Sequence, residues 1–332
     1  MSSDLTFISV FAGCGGSSLG YKLAGFRELL AVEKDEDACE TFRMNFEGID
    51  LYCGDIKDLS VSACLERTGL GVGDLTVFDG SPPCQGFSSA RGRLNAQDPR
   101  NALYKEYVRL LSGLMPKFFV FENVPGLVRR HMYGIYSAIC SELSGCGYNI
   151  DSKILDASFF GVPQRRRRLF IIGVRTDICI TPSLPLPCKR PITVREALRT
   201  LVFDPKEEQR LLPEFLLKYA VLHGDKWNVD YKRYIKYKGN LASAMSTKFC
   251  SWDRVCGTIM KSEIATSGVV HPDRQRYISL SEAKRLSSFP DDFKFTCRKK
   301  GIERIGNSVP PELMRSIAEH IKSLMGDRGL SR

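Results

Sequence analysis

The chain has 332 residues, 43% of them hydrophobic, which suffices for one large core or for a large core with a small satellite domain. Lys and Arg outnumber Asp and Glu by 48 to 38, and the net charge of +10 favours a polyanionic partner such as nucleic acid. We find no apolar run long enough to cross a membrane, no signal peptide and no lipidation motif. We therefore expect a cytoplasmic protein, or a nuclear one if the source is eukaryotic.

The cysteines do not indicate a metal site or a disulfide framework. There are 12 of them, none in a Cys-x-x-Cys pair, and the chain has 4 histidines. We expect most of them to be reduced and buried as small hydrophobic side chains, and we expect no bound metal.

The first half alternates apolar runs with segments of helical periodicity. The predicted strands are 5–10, 28–32, 75–78 and 117–121, and the predicted helices are 17–23, 35–46, 101–115 and 132–144. Strands as continuously apolar as Phe118–Phe121 are typical of a parallel sheet covered by helices on both faces. The sequence therefore predicts an α/β fold with a Rossmann-like, doubly wound and mostly parallel sheet.

The pattern becomes irregular after Arg175, where four prolines follow in quick succession. We interpret the stretch to about Val270 as a smaller irregular domain. Regular structure returns at Ser279, which forms a capping box with Glu282, and the chain ends in an amphipathic helix over 311–325.

A glycine-rich turn, Phe11–Gly16, links the first strand to the first helix. Such turns let backbone amides approach a ligand closely, although a tight strand-to-helix turn needs glycine in any case. Its spacing is not Gly-x-Gly-x-x-Gly, which argues against a nicotinamide dinucleotide. Glu33, at the end of the next strand, is placed to accept both hydroxyls of a ribose, so the two features together favour a nucleoside cofactor.

Three further motifs lie next to predicted strands, and the first two follow strands at the edge of the sheet where the glycine-rich turn, Glu33 and Asp55 also lie. Cys84 follows two prolines and precedes a flexible loop in which Arg91 and Arg93 suit phosphate contact. Glu122 ends a very apolar strand, so we expect its carboxyl to hold or share a proton near neutrality. The run 164–168 leads into another strand, and if its alternation extends back, Gln164, Arg166 and Arg168 share one face while Arg165 and Arg167 share the other.

Six motifs in this order resemble those of the DNA cytosine C5-methyltransferases: Phe-Ala-Gly-Cys-Gly-Gly, Gly-Asp-Ile, Pro-Pro-Cys-Gln, Glu-Asn-Val, Gln-Arg-Arg-Arg-Arg and Gly-Asn-Ser-Val-Pro. The resemblance extends from residue 5 to about residue 325. It also includes the segment 276–291, which resembles the helix that precedes the last motif in that family. The resemblance is specific because six short motifs occur in the same order and at the same spacing as in the family.

The resemblance implies the fold of the class I methyltransferases and S-adenosylmethionine as the methyl donor. It assigns cofactor contacts to residues from both ends of the chain: Phe11, Gly13, Gly15, Gly16, Glu33, Asp55, Ile56, Pro83, Asn307 and Ser308. It implies three domains: a catalytic domain over 1–185, a target-recognition domain over 186–275 and a C-terminal segment over 276–332 that returns to the catalytic domain.

The chemistry implied is methylation of a cytosine that has left the duplex. Cys84 would add to C6 of the ring, Glu122 would hold N3 and the exocyclic amine, Arg168 would hold O2, and Arg166 would support the catalytic loop. DNA contacts are expected from the segment that begins at Cys84 and from the basic run: Gln85, Ser88, Arg91, Arg93 and Arg165. The partner would be double-stranded DNA bound by a monomer, and a cognate restriction endonuclease acting separately fits the resemblance.

Two alternatives stay open at this point. A similar branch of the family methylates cytosine C5 in transfer RNA, but its Cys-Phe-Thr tripeptide is missing here. Some proteins of this fold are catalytically silent DNA-binding regulators. The presence of Cys84, Glu122 and Arg168 together argues against a silent protein.

Overall fold

The computed structural model describes residues 5–83, 103–202, 204, 206–212, 246–261, 267–273 and 275–326. The chain divides into two compact units: one holds the described residues within 1–156, 167–186 and 314–332, and the other those within 157–166 and 187–313. Within the part of the chain described, no helix is both long and apolar enough to cross a membrane.

A seven-stranded sheet forms the centre of the first unit, in the order β3-β2-β1-β4-β5-β7-β6. Its strands are β1 Thr6–Val10, β2 Arg27–Glu33, β3 Asp50–Cys53, β4 Val77–Gly80, β5 Phe118–Asn123, β6 Tyr148–Asp156 and β7 Arg167–Arg175. The first five run parallel, and β7 pairs antiparallel with both β5 and β6. The predicted α/β class and the mostly parallel sheet are confirmed.

The helices of this unit are α1 Gly16–Leu23, α2 Glu36–Asn45, α3 Val61–Thr68, α4 Leu103–Leu114 and α5 Tyr133–Gly145. Short 3-10 turns lie at Ile56–Asp58, Pro125–Val128 and Arg130–Met132. The four predicted helices of the first half are present within a few residues. The sequence does not predict helix α3 or strand β6, because neither segment has a clear periodic pattern of apolar residues.

Helices cover both faces of the sheet because side chains alternate along each strand. Ile8 and Val10 of β1 belong to a buried cluster that includes Leu110 of α4. Phe7, which points to the other face, stacks on Tyr21 of α1 with the ring centroids 4.5 Å apart. These five side chains are each at most 1% exposed. Apart from Tyr21, they occupy apolar positions that the strand and helix patterns assign to the core.

The second unit has less regular structure, as the sequence indicates. Its described elements are the helices α6 Val194–Leu198, α7 Leu280–Leu286 and α8 Arg298–Asn307, the parallel strand pair β8 Ser246–Phe249 and β9 Ser267–Val270, and a 3-10 turn at Ala157–Phe159. Ser279 and Glu282 form the predicted capping box of α7. The last helix, α9, spans Pro311–Gly326, which confirms its prediction.

Two expectations about local structure need correction. The segment 276–291 is helical only over Leu280–Leu286, and a further helix, α8, follows it and ends at Asn307. Strand β7 begins at Arg167 and does not extend back to Gln164, which forms an isolated bridge with Cys256. In addition, a disulfide joins Cys39 of α2 to Cys53 at the end of β3, while nine other described cysteines are free.

Candidate active site

The glycine-rich turn is held in a conformation that few residues adopt. Phe11, Gly13 and Gly15 have φ angles of 58°, 59° and 89°, in the left-handed region. A Cβ on Gly15 would lie 2.2 Å from a ring atom of Phe46, so glycine is required there for space as well as for φ. A Cβ on Gly13 would meet nothing within 4 Å, so open space adjoins the turn at this residue.

Glu33 ties this turn to the start of α2. Its Oε2 accepts a hydrogen bond of 2.7 Å from the backbone N–H of Gly13, and its Oε1 accepts bonds of 2.8 Å from the N–H groups of Lys34 and Asp35. The sequence favours Glu33 as a ligand for ribose, and in the structure its carboxylate joins the two segments that would flank such a ligand. The ribose contact itself stays a prediction.

Asp55 caps the 3-10 turn that begins at Ile56, and it lies beyond the end of β3. Its Oδ2 is 2.6 Å from Nζ of Lys34, and the hydrogen bond from Lys34 holds the pKa of Asp55 below its usual value. Ile56 is buried. The turn, Glu33 and Asp55 therefore lie at the carboxyl ends of three neighbouring parallel strands, where ligands of such sheets bind.

Glu122 and Arg168 form an ion pair at the same edge of the sheet. Nε of Arg168 is 3.0 Å from Oε1 of Glu122, and the two side chains are 16% and 10% exposed. The pair exists because β7 runs antiparallel to β5, in a register that sets Phe170 opposite Glu122 and Leu169 opposite Asn123. The guanidinium compensates the negative charge that burial would otherwise penalise.

Asn123, which the sequence analysis gave no separate role, holds the segment that leads to Cys84. Its Nδ2 donates a 3.1 Å hydrogen bond to the carbonyl oxygen of Pro82, and its Oδ1 accepts one of 2.9 Å from the N–H of Val124. Because Asn123 is 4% exposed, both bonds form away from solvent. The only sequence signal for this contact is the position of Asn123 beside Glu122.

Several predicted residues lie outside the described part of the chain: Cys84, Gln85, Ser88, Arg91 and Arg93. Pro83, which precedes them, is described and half-buried. The roles assigned to all of these residues stay predictions.

Arg166 is buried in the second unit and hydrogen-bonds two backbone carbonyl groups there. The side chain is 1% exposed, and its two terminal nitrogens donate to the carbonyl oxygens of Ile259, at 3.2 Å, and Gly306, at 2.9 Å. Gly306 must be glycine, since a Cβ there would lie 2.3 Å from the backbone nitrogen of Lys261. Arg166 therefore fixes the end of α8, next to Asn307 and Ser308.

Gln164 shares this role. Exposure alternates along the basic run even though β7 does not extend back over it. Gln164 Nε2 donates to Oγ of Ser287 at 2.7 Å, and its Oε1 accepts from the N–H of Ile259 at 3.1 Å. Gln164 and Arg166 are buried, while Arg165 and Arg167 are exposed. Exposed arginines suit contact with a phosphate backbone, so the predicted DNA contact of Arg165 is sterically open.

The family is established by comparison with known proteins. The model of the C-5 cytosine-specific DNA methylase family matches residues 5–323. The chain belongs to this family. It is accordingly a DNA (cytosine-5-)-methyltransferase, as the order of its motifs predicts.

Individual relatives agree with this assignment. The chain is 34% identical to the Type II methyltransferase M1.HphI of Haemophilus parahaemolyticus, over 96% of this chain and 87% of the relative. It is 32% identical to the Type II methyltransferase M.XorII of Xanthomonas oryzae pv. oryzae, over 95% and 84%.

Solved structures agree on the fold. A crystal structure of an E. coli prophage-encoded DNA modification methyltransferase superposes with a TM-score of 0.75 at 28% identity, covering 97% of this chain and all of that one. The structure of DNMT2 from Spodoptera frugiperda, with a TM-score of 0.70 and 18% identity over 96% and 99% of the two chains, shares the fold. The predicted class I methyltransferase fold is confirmed.

Proposed function

We propose that this enzyme methylates C5 of a cytosine flipped out of duplex DNA, with S-adenosylmethionine as the donor and a covalent adduct between Cys84 and C6. The observation that carries the proposal is the hydrogen bond from Asn123 to Pro82, because Asn123 directly follows Glu122. Cys84 is two residues beyond Pro82, and two residues of extended chain span at most about 7 Å. We therefore infer that the thiol acts at the edge of the sheet where Glu122 and Arg168 lie.

The described residues fit a nucleoside sulfonium donor. Open space adjoins Gly13, a carboxylate lies at the turn, and Phe11 offers a half-buried aromatic ring. S-adenosylmethionine supplies an electrophilic methyl group when bound. Glu33, Asp55 and the backbone of 13–16 would hold it, together with Pro83, Asn307 and Ser308.

The protein groups then act on the ring of the cytosine. C5 is a weak nucleophile, and addition of the Cys84 thiolate to C6 raises the electron density at C5. Glu122 protonates or hydrogen-bonds N3 during this addition, and Arg168 holds O2 and the Glu122 carboxyl in place. C5 then takes the methyl group, and the donor would depart as S-adenosylhomocysteine. A base removes the C5 proton, Cys84 leaves C6 and any proton on N3 returns to Glu122, which restores the ring. Ordered water is our candidate for this base.

Flipping of the target costs a few kcal/mol and requires a protein surface that holds the strand. We assign this to the loop that contains Gln85, Ser88, Arg91 and Arg93, and to the exposed Arg165. We assign sequence recognition to residues 186–275 and expect a short site. The Type II relatives favour a role in a restriction-modification system, with a separate endonuclease as the functional partner.

The first test is transfer of labelled methyl from S-adenosylmethionine to genomic DNA that lacks cytosine methylation, and separately to unmodified transfer RNA. We expect label in DNA with the wild type, none with Cys84→Ala, and unchanged transfer with Cys188→Ser, an exposed free cysteine. Label in transfer RNA alone would refute the substrate assignment. Absence of label from both would support a silent DNA-binding protein.

A second test addresses the covalent adduct. DNA with 5-fluorocytosine carries no C5 proton, so the base has nothing to remove and Cys84 cannot leave. We expect a complex that survives denaturing electrophoresis with the wild type and with Cys188→Ser, and none with Cys84→Ala. Equal trapping by Cys84→Ala would refute the role of Cys84.

A further inference from the structure

Two carboxyl groups in the interior hold the first turn of α1, which directly follows the glycine-rich turn. Glu28 of β2 accepts hydrogen bonds at Oε1 from the hydroxyls of Ser9 and Ser18, the latter at 2.9 Å. Ser9 belongs to β1 and Ser18 is the third residue of α1. Glu28 therefore links two strands to the start of this helix.

Asp79 of β4 makes the corresponding link from the other side. It is hydrogen-bonded to Ser17, and its Oδ1 accepts from the hydroxyl of Tyr21 at 3.4 Å. Asp79 is 2% exposed, and Gly80, which follows it, begins the Gly-Ser-Pro-Pro-Cys segment. The same carboxyl thus connects α1 to the strand that leads to Cys84.

In the part of the chain that the structure describes, no side chain caps the N-terminus of α1. Its N-cap is Gly15, which offers no capping side chain, and its first turn has no acidic residue. The position of residues 13–16 therefore depends on how Ser17, Ser18 and Tyr21 are held. Both carboxyls that hold them come from strands of the sheet.

We propose that Glu28 and Asp79 are positioning residues for the methyl donor: by fixing the first turn of α1 against β1, β2 and β4, they set the glycine-rich turn in its binding conformation. This role rests on the proposed use of S-adenosylmethionine. Neither residue touches the reacting atoms. Their effect is on the geometry of the backbone that would meet the donor.

Burial favours the protonated form of both carboxyl groups. Burial raises the pKa of Glu28 to about 8, against the opposing effect of the hydrogen bonds from Ser9 and Ser18. Glu28 is only half-buried as a whole residue, but its Oε2 is excluded from solvent and has no hydrogen-bond partner among the described residues. Burial, and then the charges of Glu28 and Glu122, raise the pKa of Asp79 well above its usual value.

Among the described residues, the other titratable groups whose charges act on this pair are Tyr21 of α1, Tyr107 of α4 and Glu122 of β5. All of them are neutral or negative, so none compensates an ionised Glu28. Above its pKa, Glu28 would place a negative charge beside Asp79 and loosen the turn. Affinity for the donor should therefore fall as the pH rises through about 8.

Calorimetric titration of the full chain with S-adenosylmethionine tests the proposal. Glu28→Gln and Asp79→Asn keep a neutral polar group and should bind within about twofold of the wild type, while Glu28→Ala and Asp79→Ala lose the hydrogen bonds and should bind about tenfold more weakly. The affinity for DNA should stay the same. Leu143→Ala, which empties a core position in α5 away from the turn, should lose stability and keep the wild-type Kd.

The pH dependence of the Kd for S-adenosylmethionine distinguishes a positioning role from a purely structural one, which would leave this dependence unchanged. The Kd of the wild type should increase between about pH 7 and pH 9, and that of Glu28→Gln should stay level. This comparison decides the matter even if the alanine variants fail to fold.

Two results would count against the proposal, and they differ. Equal Kd values for the wild type, Glu28→Ala and Asp79→Ala, or the same pH dependence in the wild type and Glu28→Gln, would overturn this inference alone. A wild type that binds no S-adenosylmethionine at any pH would refute the proposed function, and the inference with it.

Discussion

Removal of one partner from the ion pair between Glu122 and Arg168 should strongly destabilise the protein, because both side chains are largely buried. The 3.0 Å separation corresponds to about 5 kcal/mol of attraction at an effective dielectric constant of about 20. The cost of removing both groups from water offsets part of this. Arg168→Met alone leaves a buried carboxylate without compensation, so it should lower the free energy of unfolding by about 3–5 kcal/mol.

A double-mutant cycle isolates the interaction. Glu122→Gln and Arg168→Met are measured singly and together by urea denaturation near neutral pH, with circular dichroism as the signal. We expect the double variant to be more stable than the sum of the single effects predicts, by about 2 kcal/mol or more. The cycle at Arg315 and Glu319, an exposed pair 2.8 Å apart, should give about 0.5 kcal/mol or less.

The result that would refute this reasoning is additivity. If the two single effects sum to that of the double variant within about 0.5 kcal/mol, the charges act independently. Equal coupling at the buried pair and at Arg315–Glu319 would lead to the same conclusion. In either case burial would not strengthen the pair.

Three further outcomes are expected. Gly306→Ala should destabilise the protein by about 1–3 kcal/mol in thermal or urea unfolding, because the added Cβ would clash with the backbone of Lys261. The control Gly134→Ala lies in a helix with open space around it and should stabilise the protein by about 0.5 kcal/mol. Equal effects of the two substitutions would contradict the steric argument. Arg166→Met should cost about 3 kcal/mol or more, since two buried carbonyl oxygens lose a charged donor, and a cost below about 1 kcal/mol would show that water replaces it. The folded-state pKa of Glu28 lies above its unfolded value, so its contribution to stability is complete below about pH 4.5 and is lost as the pH rises to about 8; Glu28→Gln should remove this dependence from the unfolding free energy.

The sequence was informative about the fold wherever a pattern is local. Continuous apolar runs predicted β1, β2, β4 and β5, and the capping box at Ser279 predicted the start of α7. Helix α8 was not predicted, because three consecutive basic residues and a glycine in its first turn hide its apolar face.

The amino-acid sequence is enough to assign the family, the order of the motifs and the edge of the sheet where they lie, since parallel strands share their carboxyl ends. The partners of each group were decided by the tertiary structure. The antiparallel register of β7 against β5 brings Arg168 to Glu122, and the adjacent Asn123 reaches Pro82, 41 residues away. Glu28 and Asp79 look like ordinary strand residues in the sequence, and their hydrogen bonds to Ser18 and Tyr21 exist only because α1 packs on the sheet. Burial and pairing depend on contacts between distant segments, which local periodicity does not encode.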